Sequence, residues 1–192
     1  LQPLKKSFLK RRRDYSHSKT YGAIPLSELP PEYLLPSAIL DQNGTFKCTA
    51  YTASAIQESQ EGISFDPDWF FDQEGIVAGK VNNQGYDLET QMKTGTKKGF
   101  MPMGGGDPII HRDDSFFSID GNFDLFDNIR AAMWLGKNEK RCASLGTRWF
   151  QEWQTDTGII PERYSLFAGL HDVKCAGWKI INGIPYLVIQ NS

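Results

Sequence analysis

Residues 171–180 and 184–190 read as two apolar strands joined through Asn182-Gly183. Asn-Gly is a strong hairpin signal, because a type I′ turn needs positive φ at both central residues. A hairpin folds the chain back on itself, so Asn191, just past the second strand, returns beside His171 at the start of the first. Residues 141–147 are also strand-like. Helical patterns come earlier. Residues 48–60 contain no Gly or Pro and place Ala50, Ala53 and Ile56 at helical spacing, with Gly62 as the stop. Asp66 caps a short helix with Pro67 at its first position and Trp69, Phe70 and Phe71 behind it. Residues 86–94 predict a third helix ended by Gly95. Residues 127–136 predict a fourth on Ile129, Ala132 and Met133. Helices that cluster before strands predict an α+β fold.

Four prolines (Pro25, Pro30, Pro31 and Pro36) make residues 21–41 extended and irregular, and Gly104, Gly105 and Gly106 make a connector. A length of 192 residues fits one domain or two lobes sharing an interface. The net charge of −2 gives no global attraction to nucleic acid or membrane, but it is unevenly spread. Residues 1–20 hold seven Lys/Arg and one Asp, a balance of +6, so the other residues carry −8. The cluster from Lys5 to Arg13 reads as a solvated arm and is a candidate for binding an acidic partner or nucleic acid. No apolar run is long enough to span a bilayer, and no apolar stretch follows the basic start as a secretion signal requires. Three cysteines (Cys48, Cys142 and Cys175) make no disulfide framework and lack zinc-site spacing. Reduced thiols favour an intracellular or virion-associated setting. No metal or cofactor is expected.

Cys48 sits where a Gly-containing loop gives way to a helix, a place where free N–H groups and the helix dipole favour thiolate, the attacking species. Gln42 stands six positions before it; His171 and Asn191 follow at 123 and 143 residues beyond. The four types have interlocking roles in acyl transfer: a thiol nucleophile, an imidazole that moves the proton, an amide that orients the imidazole, and an amide donor for the oxyanion. Each residue alone has a plainer reading, Cys48 as an inert buried thiol, His171 as a satisfied core histidine, Asn191 as a turn residue. Trp134, Trp149, Trp153 and Trp178 read as core or lobe-interface residues, and His17 and His111 as surface residues.

This pattern resembles the papain/cathepsin family of cysteine peptidases over residues 21–192. The nucleophile segment is Gln42 followed by Cys48, with Ala50 and Tyr51 two and three positions after it. Asn82-Asn83-Gln84-Gly85-Tyr86 resembles the edge that binds substrate backbone, and residues 171–192 resemble the His-strand-turn-strand-Asn-Ser ending. The resemblance implies a helical lobe over about residues 37–110 and an antiparallel β lobe over about 111–192, with a cleft between them. It also implies catalytic Cys48, His171, Asn191 and Gln42, substrate binding by Gln84 and Gly85, and a peptide or protein substrate. The sequence departs at Thr45, where the family has a half-cystine, and at Thr49, where it has Trp. The family's Trp-Gly after Asn-Ser has no counterpart up to Ser192. The alternative is a weak or inactive papain-like domain that serves as a structural or binding module in a larger assembly such as a virus particle.

Overall fold

A computed structural model describes residues 25–116, 118–119, 125–153, 158–160 and 166–192. The basic arm and His17 lie outside them. The elements run β1 (Glu32–Leu34), α1 (Cys48–Glu61), α2 (Pro67–Ala78), α3 (Leu88–Lys98), α4 (Leu125–Leu135), β2 (Ala143–Phe150), β3 (Phe167–Ile181) and β4 (Ile184–Gln190). The fold is α+β, with helices packed against one antiparallel sheet.

β3 is the spine of that sheet. β2 pairs with its first half, setting Thr147 opposite His171 and Ser144 opposite Lys174. β4 pairs along the other edge, from Lys174 opposite Gln190 to Ile181 opposite Ile184. β1 takes up residues 177–179 on the edge that β2 vacates. The turn between β3 and β4 has φ of 52° at Asn182 and 78° at Gly183, the two positive values a two-residue hairpin needs. At Gly177 β1 passes so close that a Cβ would lie 1.8 Å from the Tyr33 carbonyl oxygen.

Two apolar clusters divide the molecule into two lobes. One gathers Ala50, Ala53, Phe65, Phe70 and Phe100 from α1, α2 and the strand-like segments around them. The other gathers Ile129, Met133, Ala143, Cys175 and Trp178 from α4 and the sheet, joined by Leu29 from the proline-rich segment. Between the clusters, α1 packs on β3. Asp172 and Lys174 sit two apart on β3, so they share a face, and both are bound from α1: Thr52 Oγ1 donates to the Asp172 carbonyl at 3.0 Å and Lys174 Nζ donates to Ser59 Oγ at 2.5 Å. The seam between the lobes is therefore polar and buried. Its first-lobe side is a helix of small residues, with Ala50, Ala53, Ser54 and Ala55 all buried.

Several elements outrun the sequence reading. α2 continues to Ala78 and stops at Gly79, whose φ of 69° ends it. α3 runs straight through Gly95 to Lys98, because that glycine serves packing and not termination. A Cβ there would stand 2.6 Å from Asp113 Oδ2. β2 is shifted toward Phe150 and β3 begins at Phe167. Of the proline-rich segment, residues 21–24 lie outside the described residues, Leu26–Glu28 form a 3-10 turn where the sequence predicts an extended chain, and Glu32–Leu34 are extended as β1; Trp178 Nε1 and Ile180 N donate to the carbonyls of Pro30 and Pro31. His111 is not an unpartnered surface residue: its Nδ1 lies 2.5 Å from Glu61 Oε2 and its ring packs edge-on against Phe65. Among the described residues no helix is long and apolar enough to cross a membrane.

Candidate active site

Cys48 is the first residue of α1 and is half-buried. Lys47, at the cap position, makes no side-chain capping bond, so its side chain takes up none of the first-turn N–H groups. Burial pushes the Cys48 thiol up. The backbone N–H groups of Asp172 and Thr49 act the other way, and the Asp172 and Glu74 carboxyls add to burial. Since Asp172 belongs to β3, its N–H brings the strand that carries His171 against the sulfur.

His171 Nε2 lies 2.5 Å from Asn191 Oδ1. An amide oxygen only accepts, so Nε2 carries the proton and Nδ1 remains free to exchange one. The hairpin produces this contact: β4 returns antiparallel to β3 and delivers Asn191 past the Lys174–Gln190 pair. Trp149, on β2, stands edge-on against the imidazole with ring centroids 5.0 Å apart, and Trp153 packs on Trp149 at 5.3 Å. Trp149 is 8% exposed, so it covers one side of the ring.

Gln42 opens a tight turn before α1. Asn43 and Gly44 have φ of 52° and 69°, and Thr45 N donates back to the Gln42 carbonyl at 3.0 Å. The Gln42 side-chain oxygen is buried and unpartnered among the described residues. Gln84 and Gly85 lie on a turn held by Asn82, whose Oδ1 accepts from Gln84 N at 3.0 Å and whose Nδ2 donates to the Gly85 carbonyl. Gly85 is buried with φ 86°, and a Cβ there would lie 2.6 Å from the carbonyl oxygen of Phe46, two residues before Cys48. Gln84 is exposed.

Beneath these residues lies a buried polar group that the motif reading misses. Thr49 donates to Glu74 Oε2 at 3.0 Å, and Gln91 binds both the Thr49 carbonyl and the Asp172 carboxyl. Burial pushes Glu74 up to about 8 and Asp172 up to about 7. Only the position of Asp172 directly after His171 could have drawn attention in the sequence. Gln91 is 81 residues away from it and carries no motif.

Comparison with solved structures places the fold. Xylellain, a cysteine protease from Xylella fastidiosa, aligns at TM-score 0.57 and 16% identity over 80% of this chain and 71% of that one. Procathepsin L 3 of the Tenebrio molitor larval midgut aligns at TM-score 0.61 and 14% identity over 85% of this chain and 60% of that one. This chain has the papain-like fold. ProCathepsin B from Trypanosoma congolense aligns with it too, at TM-score 0.57 and 11% identity over 83% of this chain and 66% of that one. The papain-like chain thus spans between 60% and 71% of these three structures' lengths. Sequence comparison with protein-family models and with curated proteins found no match.

Proposed function

We propose that this papain-like chain is a cysteine peptidase with Cys48 as nucleophile. The observation that carries the reading is that Cys48 begins α1 with the Asp172 N–H at its sulfur, while the neighbouring His171 is bound to Asn191 at 2.5 Å. Cys48 transfers its proton to His171 Nδ1 and attacks a peptide carbonyl, forming a C–S bond. The negative charge on the carbonyl oxygen is met by the Gln42 side-chain amide and the Cys48 N–H. His171 then gives its proton to the leaving amine as the C–N bond breaks, and activates water to release the acyl group. Asn191 holds the ring throughout, and Trp149 keeps water off one side of it. Gln84, exposed on its turn, offers backbone for a substrate strand, and Gly85 lets that turn pack on Phe46. The peptidase unit is residues 21–192, with lobes over about 37–110 and 111–192. The basic arm stands outside it as a site for an acidic partner or nucleic acid. An epoxysuccinyl reagent tests the nucleophile: it labels Cys48 faster than Cys142 or Cys175, and equal labelling of all three in the folded protein contradicts the reading.

A second reading takes the domain as a module with little turnover. Burial and two carboxyl groups oppose thiolate formation at Cys48, which favours it. Weak alkylation at every pH together with no peptide cleavage would support the module.

A further inference from the structure

The carboxamide of Gln91, a residue 1% exposed, touches the residues that follow both Cys48 and His171. Its nitrogen lies 2.6 Å from the Thr49 carbonyl oxygen and 2.8 Å from Asp172 Oδ2. A carbonyl can only accept, so that end of the amide is the NH₂ and both its hydrogens are committed. The Gln91 oxygen faces Ser144 Oγ at 3.0 Å. Ser144 Oγ in turn lies 2.8 and 2.9 Å from the two Asp172 oxygens.

Counting protons decides the state of this ring. A serine hydroxyl has one hydrogen. With Asp172 ionised, that hydrogen goes either to Asp172 or to Gln91, and the other pair is left as two oxygens in contact with no proton between them. With a proton on Asp172 the ring closes: Asp172 donates to Ser144, Ser144 to Gln91, and Gln91 back to Asp172 Oδ2. Each pair of residues in the ring then shares one hydrogen, and the 2.9 Å approach of Ser144 Oγ to Asp172 Oδ2 is the one contact without its own.

We infer that Gln91, Ser144 and Asp172 are positioning residues, and that their ring, with Asp172 as the neutral acid, holds the Cys48 turn against the His171 strand. The inference rests on Cys48 and His171 being the reacting pair. Burial acts on Asp172 in the same sense, raising it to about 7 against the hydrogen bonds from Ser144, Gln91 and Thr52 and the Val173 N–H. The titratable groups facing this region are Cys48 from α1, Glu74 from α2, Asp87 at the start of α3 and Lys174, which shares the β3 face of Asp172. β2 supplies the uncharged Ser144. As pH rises through the Asp172 titration, the ring opens and a negative charge appears beside the sulfur. The rise in Cys48 reactivity is then held back on the alkaline side.

Asp172→Asn separates charge from geometry, because an asparagine can donate to Ser144 and accept from Gln91 as the neutral acid does. Iodoacetamide alkylation of Cys48, followed by mass spectrometry from about pH 5.5 to about pH 8.5, reads thiolate without needing a substrate. The expected result is that the ratio of the rate at the alkaline end to that at the acid end rises at least about threefold in Asp172→Asn. Gln91→Leu, checked for folding by circular dichroism, slows alkylation near pH 6 by at least about threefold. Superimposable profiles for the wild type and Asp172→Asn, or wild-type rates in folded Gln91→Leu, overturn the inference. If Asp172→Asn does not fold, carbon-13 titration of the aspartate carboxyls in Asp113→Asn protein decides it. Removing Asp113, itself raised to about 6, leaves Asp172 as the aspartate expected to titrate near 7. Midpoints all below about 5 overturn the inference. Peptide cleavage with an unchanged profile rejects the ring alone; a changed profile without cleavage rejects the peptidase reading alone.

Discussion

Thr49 Oγ1 donates to Glu74 Oε2 at 3.0 Å, tying the residue after Cys48 to a carboxyl that is wholly enclosed. The other oxygen of Glu74 has no hydrogen-bond partner among the described residues. An enclosed carboxylate with half its acceptors unmet is costly, so the group holds its proton to about 8.

This sets the sign of a stability–pH relation. A carboxyl whose folded value lies above its unfolded value favours the fold fully below the unfolded value of 4.5, and the benefit is lost as pH rises through about 8. Asp172, raised from 3.8 to about 7, acts in the same direction. Calorimetry should show Tm falling from mildly acid to mildly alkaline pH, and Glu74→Gln should flatten that fall and raise Tm at the alkaline end. A wild-type Tm that rises over this interval contradicts the assignment.

Gly177 and Gly183 separate close approach from turn geometry. Gly177→Ala drives a Cβ to 1.8 Å from the Tyr33 carbonyl oxygen at φ 146°, whereas Gly183 has open space at φ 78°. Urea unfolding should show a loss of about 3 kcal/mol or more for Gly177→Ala, and about 1 kcal/mol for Gly183→Ala. Equal losses would show that β1 does not press on β3 at Gly177.

Asn191→Ala frees the His171 ring and should lower kcat/KM by about 10²-fold. Trp149→Ala removes the edge contact at 5.0 Å and should lower kcat/KM in the same direction by a smaller factor, with the fold retained by near-ultraviolet circular dichroism. A full-rate Asn191→Ala enzyme would remove Asn191 from the mechanism.

Local signals carried the C-terminal hairpin, because Asn182 and Gly183 supply both the turn and the return of the chain. They also carried α1, whose small residues and Gly62 stop have no competing reading. The length of α3 was not legible: a glycine chosen for packing against Asp113 looks in sequence like a glycine that ends a helix. The Gln91–Asp172–Ser144 ring was invisible for a different reason. Its members come from α3, β3 and β2, and only tertiary packing makes a buried glutamine a partner of a buried acid. Trp149 reads in sequence as a core or lobe-interface residue, and nothing in its neighbourhood marks it as the ring beside His171.

The arm gives a prediction independent of the site. Deleting residues 1–20, which carry +6, should leave Tm and Cys48 labelling unchanged. Any acidic partner or nucleic acid bound by the arm should be lost with it and weakened by salt, since charges are screened over about 8 Å at physiological ionic strength. Failure to fold without the arm would make it part of the domain.

Peptide-bond cleavage by Cys48 is the proposed activity. Mass spectrometry of a mixed peptide library incubated with the wild-type chain and with Cys48→Ala, from acid to neutral pH, tests it most directly. New peptide termini should appear with the wild type and none above background with Cys48→Ala. Cleavage that survives Cys48→Ala, or no cleavage by the folded wild type at any pH, contradicts it.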